Sequence, residues 1–126
     1  MDSQNASLLA SLADRMRFLS ARTATIAHNL ANADTPNFTP SDVSPGRPRV
    51  GVALRTSDPR HLTTPREAER FDRRPAPDGD ASLTGNRVSL ETQMLKLSST
   101  RMQHGLAARV YEKTVDLLRL AANDGR

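Results

Sequence analysis

All eight prolines of this 126-residue chain lie between Pro36 and Pro77. Proline inside a helix forfeits a backbone hydrogen bond and clashes with the preceding turn. The sequence therefore falls into a proline-free N-terminal arm, a proline-rich middle and a proline-free C-terminal arm. We place the boundaries at 1–38, 39–85 and 86–126.

The N-terminal arm carries a heptad. Leu9, Met16, Thr23 and Leu30 fall seven apart, and Leu12, Leu19, Ile26 and Ala33 repeat the spacing three residues on. Alternating spacings of three and four place these side chains on one seam, which packs lengthwise on another helix. Asp2 or Ser3 is a candidate cap, and about 28 helical residues span about 42 Å.

The C-terminal arm, from about Val88 to Ala122, has two apolar stripes. One runs through Leu90, Met94 and Leu97, is interrupted by Arg101 and His104, and resumes at Ala108, Tyr111, Val115, Leu118 and Ala122. The other comprises Leu95, Met102, Leu106, Val110, Leu117 and Leu120. Only one other long helix is expected, and it cannot cover both stripes. The second stripe therefore predicts contact with other subunits. Gly105 is the one glycine inside this helix, at about 1 kcal/mol relative to alanine.

The middle is rich in Pro, Arg, Asp, Thr and Ser. Val50, Val52 and Leu54 alternate and suit one short strand, and Pro77–Asp80 (PDGD) is a turn signal. The remainder reads as irregular, disordered or ordered on assembly. The expected fold is all-α: two long terminal helices pairing as a coiled-coil-like hairpin around a largely irregular middle.

Composition is thin for a self-contained core, so either part of the chain is disordered or its apolar surface is buried against something else. Hydrophobic residues make up 37%, against roughly 45–50% for ordinary domains. The aromatics are Phe18, Phe38, Phe71 and Tyr111. The absence of cysteine excludes disulfides and thiol chemistry. A net charge of +4 permits a nucleic-acid partner, but acids interrupt the basic run from Arg66 to Arg74, so none is expected. The start shows no basic segment leading into an apolar one, so no cleaved signal peptide is expected, and no stretch is apolar enough to span a membrane. His28, His61 and His104 are dispersed, without metal-ligand spacing, and no serine sits in a nucleophile-elbow pattern. Neither an enzyme nor a cofactor or metal site is expected. Two formal glycosylation sequons, at Asn5 and Asn37, are discounted as chance matches.

The stretch NLANADTPNF, Asn29–Phe38, closes the first arm. Thr35 precedes Pro36, which drives its backbone to extended geometry, so the helix ends by about Asp34. Asn32 and Asp34 suit bonds to the freed backbone groups, Asn37 tolerates a left-handed turn, and Phe38 is placed to fold back onto the helix end. Physics alone leaves two readings: a stop signal with an incidental aromatic, or an anchored joint.

ANADTPNF resembles the Ala-Asn-x-x-Thr-x-Gly-Tyr-type motif of flagellar axial proteins, the rod, hook and hook-associated components. The longer form is most similar to the rod subset. Asn29, Ala31, Asn32, Thr35, Pro36 and Phe38 match the pattern; Asn37 stands where glycine is usual and Phe38 where tyrosine is frequent. GNRVSLETQM, Gly85–Met94, resembles the lead into the last helix of proximal rod subunits, and LRTSDPRHL, Leu54–Leu62, more weakly resembles an element of their middle. The resemblance implies a structural subunit whose terminal helices pair in the core of a polymer and are poorly ordered before assembly. It implies passage through the flagellar type III export apparatus without a cleaved signal, and a place in the periplasm-spanning rod. Implied partners are further copies, other rod proteins, and the basal-body adaptor and membrane-ring proteins. The assembly residues would be Asn29 to Phe38, the seam Leu9, Leu12, Met16, Leu19, Ile26 and Leu30, and on the last helix Leu90, Met94, Leu97, Met102, Leu106, Val110, Tyr111, Val115 and Leu118. Two other readings remain: a coiled-coil adaptor or export chaperone outside the polymer, and a small basic nucleic-acid-binding protein.

Overall fold

A computed structural model describes residues 2–45 and 71–124, with side chains from 6 to 45 and from 71 to 123. Helix α1 spans Asp2–Ala31, strand β1 Ser41–Pro45, strand β2 Phe71–Pro75 and helix α2 Leu90–Asp124. The helices form an antiparallel hairpin, since Asn29 meets Gln93 near one end while Ser20 approaches His104 and Arg15 meets Gln103 further along.

The inner line of α1 follows the heptad. Leu19 and Ile26 are fully buried, and Leu9, Leu12, Met16 and Leu30 are half-buried. The inner line of α2 differs from the stripe that hydrophobicity suggests. Gln93, Thr100 and Ala107 are the buried residues, flanked by half-buried Leu97, His104, Tyr111, Val115 and Leu118. Leu90 and Met94 stand more than half exposed. Gln93 and Thr100 hold the inner positions because both are hydrogen-bonded there: Gln93 to Asn29 and Asp78, and Thr100 to the carbonyl of Lys96 four residues back. The cost of burying a polar side chain is then largely offset.

The described parts of the middle include two short strands. β1 and β2 pair antiparallel, Ser41 opposite Pro75 and Pro45 opposite Phe71. This ribbon packs against α1. Arg22 grips Asp42 through two hydrogen bonds of 2.9 and 2.7 Å, Phe71 packs edge-on against Phe18 at 5.7 Å between centroids, and Val43 is buried. Two strands are not stable alone in water; here a helix supplies the missing face. The strand expected at Val50–Leu54, the element at Leu54–Leu62, His61 and the Asp2 or Ser3 side-chain cap lie outside the described residues. No helix among the described residues is long and apolar enough to cross a membrane.

Candidate functional site

At the closed end of the hairpin, α1 runs out in a series of tight turns. The N–H groups of Asn32, Ala33, Thr35 and Phe38 each donate to the carbonyl three residues back, at 3.0–3.3 Å. Asn37 occupies the left-handed region with φ 58°, a conformation asparagine tolerates better than most residues. The chain then reverses, and the Phe38 ring returns to α1, edge-on to His28 with centroids 5.8 Å apart.

The turns beyond the helix end leave carbonyls that need donors, and three of them find one residue. The buried side chain of Asn86 directs Nδ2 at the carbonyls of Asn32, Ala33 and Thr35, at 3.2, 2.6 and 2.8 Å. Its Oδ1 accepts from the N–H of Val88 at 2.7 Å. Gly85, immediately before it, has φ +76°, and a Cβ there would run into the Asn37 carboxamide. The Asn37 N–H donates to Thr84 O at 3.1 Å and the Arg87 N–H to Phe38 O at 3.0 Å, so residues 84–87 run beside the joint. NLANADTPNF and GNRVSLETQM, about fifty residues apart in sequence, thus form one structure.

Beneath the joint lies a buried polar chain. Asn29, with no exposed surface, donates from Nδ2 to Ser41 O at 2.7 Å and to Gln93 Oε1 at 3.0 Å, and accepts from Ser41 N at 3.1 Å. Gln93 Nε2 donates to Asp78 Oδ2 at 2.8 Å. Asp78 also accepts from Lys96 Nζ at 2.8 Å and from the Ser89 N–H at 3.1 Å. Among the described residues no buried side-chain nitrogen or oxygen lacks a partner. Burial of Asp78 works to raise its pKa, but the Lys96, Gln93 and Ser89 hydrogen bonds outweigh it, and the carboxyl titrates below its ordinary value. Asp42 behaves alike: burial opposes ionisation, while bonds from Arg22 and the Val43 N–H bring the pKa below normal. The hydrogen bond to Asp42 in turn raises the pKa of Arg22 despite its partial burial.

Of the residues singled out from sequence, Asn29, Asn37 and Phe38 make the tertiary contacts of the joint. Asn32 acts locally, donating to His28 O at 2.8 Å and accepting from the Thr35 hydroxyl at 3.3 Å. Ala31, Thr35 and Pro36 are exposed. On α2, Leu97, Tyr111, Val115 and Leu118 face α1, whereas Leu90, Met94, Met102, Leu106 and Val110 stand exposed. Sequence reasoning missed Thr25, Gln93, Asp78, Lys96 and the ligating role of Asn86. The Pro77–Asp80 turn signal and the quoted Gly85–Met94 stretch contained three of these without revealing their partners.

The Ser20 hydroxyl and His104 Nε2 stand 3.5 Å apart; among the described residues no third side chain is hydrogen-bonded to the ring, and no group of three potential metal-ligating side chains occurs. What the geometry defines is a helical-hairpin module whose closed end is locked by amide side chains and whose outer helix face is left apolar. The model of the family Flagella basal body rod protein matches residues 11–39, the greater part of α1 and the whole joint. That match supports the rod family and a structural role in the flagellar basal body. No curated protein matches the chain.

Proposed function

We propose that this chain is a structural subunit of the proximal rod of the flagellar basal body, of the FlgB type, and catalyses no reaction. It polymerises through its two terminal helices with further copies and with other rod proteins. It leaves through the flagellar type III export apparatus without a cleaved signal and meets the adaptor and membrane-ring proteins at the base. The observation that carries the reading is the coincidence of the family match with the joint: the matched residues end at Thr39, where the chain has just completed the turn closed by Asn37, Phe38 and Asn86. The FlgB assignment rests on Gly85–Met94, whose Gly85 and Asn86 are the residues that close that turn. A strain deleted for the gene is expected to lack filaments and to accumulate basal bodies without a rod, and the tagged chain is expected in purified basal bodies. Full motility of the deletion strain overturns the reading. A tagged chain that stays in the cytoplasm while rods form supports a chaperone or adaptor instead.

A further inference from the structure

The two flanks of the hairpin are unlike. On one side, a shallow notch of about 390 Å³ opens between the helices, lined by Ser20, Thr23, Ala24, Ala27, Arg101 and His104. It exists because α1 offers only small side chains there while the apolar stripe of α2 is broken at Arg101 and His104. On α2, about 130° around the axis from Arg101 at 100° per residue, lies a ridge of Leu95, Met102, Leu106 and Leu117, each 64–72% exposed. Glu91 stands one turn before Leu95 on the same flank, exposed. Among the described residues neither Glu91 nor Arg101 has an ion-pair partner.

We infer that the ridge of one copy seats in the notch of the next, with Glu91 of the incoming helix meeting Arg101. The occupant is a second copy because the chain itself presents both halves: an apolar ridge edged by a carboxylate, and a small-residue floor edged by a guanidinium. An exposed apolar row of this extent marks an interaction surface, and opposite charges at its edge fix register and orientation. Since ridge and notch are different surfaces, the contact is heterologous. It leaves one free ridge and one free notch at every step, so it adds copies head to tail instead of closing a dimer.

This inference rests on the reading of the chain as a self-assembling subunit and names the surfaces that would meet. The chain has no cysteine, so single thiols report the contact directly. A24C marks the notch and L95C, one turn from Glu91, the ridge. Oxidation of a mixture of the two purified variants is expected to give the mixed disulfide dimer in about tenfold excess over either homodimer. Adding R101E to the A24C protein is expected to lower that yield about tenfold, and adding E91R to the L95C partner to restore it. R101Q replaces R101E if circular dichroism shows that the charge reversal alters helicity. Homodimers as abundant as the mixed dimer, or yields indifferent to position 101, overturn the inference. The chain's presence in basal bodies without the mixed dimer overturns this contact alone; the mixed dimer with the chain absent from basal bodies overturns the rod assignment alone.

Discussion

Asn29 holds the backbone of Ser41 at both polar ends: Nδ2 donates to the carbonyl at 2.7 Å and Oδ1 accepts from the N–H at 3.1 Å. The side-chain amide mimics a neighbouring strand, tying the start of β1 to the last turns of α1. The same Nδ2 reaches Gln93 Oε1 at 3.0 Å and brings α2 into the arrangement. Replacing Asn29 by alanine leaves the N–H and C=O of Ser41, which is half-buried, and the buried Gln93 amide without this partner. Each unsatisfied group costs about 1–3 kcal/mol. We expect N29A to lower unfolding stability by about 2–4 kcal/mol. Urea denaturation followed by circular dichroism measures it. A loss under about 0.5 kcal/mol would show the network to be dispensable.

The neighbouring positions separate stability from assembly. The Phe38 ring is half-buried, edge-on to His28, and the Asn32 side chain bonds only within its own turn. F38A and N32A are therefore expected to alter the helicity of the monomer little and to impair incorporation into basal bodies strongly. Motility in soft agar and circular dichroism of the purified variants test the pair of outcomes. Helicity that falls in step with motility would reduce the stretch to a helix cap.

Position 85 favours glycine, chiefly through its backbone, since the atoms a Cβ would meet belong to the exposed Asn37 side chain. Its φ of +76° is unfavourable for a residue with a Cβ, and that Cβ would collide with Asn37. G85A is expected to destabilise by about 1–3 kcal/mol. The strain at Asn37, with φ 58°, points the other way: N37G removes it and is expected to change stability by less than about 1 kcal/mol, whereas a β-branched N37V destabilises by about 1–2 kcal/mol. Thermal melts of the three variants order them G85A and N37V below N37G.

The helices were legible because their signals are periodic and local. Proline placement bounded them, and the heptad of α1 named Leu19 and Ile26 as inward residues. The inner line of α2 was not legible. Hydrophobicity pointed to Leu90 and Met94, but Gln93 and Thr100 occupy the line because a partner awaits each of them. In the case of Gln93 that partner is Asp78, a loop residue fifteen positions earlier. No periodicity announces such a pairing. The ribbon escaped notice for a related reason: SDVSP and FDRRP carry weak strand signals, and their order comes from Arg22, Phe18 and Asn29 on α1. At the joint, the asparagines and Phe38 marked the place, while the capping role of Asn86 became visible only once the two motifs stood side by side.

Acid should loosen the structure at two identified points. Asp42 and Asp78 both titrate below their ordinary range in the folded chain. A depressed carboxylate pKa means that the unfolded chain binds the proton more tightly. Stability from these groups is therefore fully present above the unfolded-state pKa of about 3.9 and is lost as pH falls through the lower folded-state values. Asp78 carries the larger structural consequence, since its side chain has 0% exposure and joins Ser89, Gln93 and Lys96 at the start of α2. D78N keeps the shape but cannot carry the charge, and its amide presents a donor to Lys96. It is expected to be less stable than the parent at pH 7 by about 1–3 kcal/mol, with the difference shrinking as pH falls towards 3. D42N should behave similarly through Arg22, more weakly because that pair keeps about a quarter of its surface in water. Urea midpoints of the parent and both variants between pH 3 and 7 decide it: parallel pH profiles would mean that these carboxylates do not link protonation to folding.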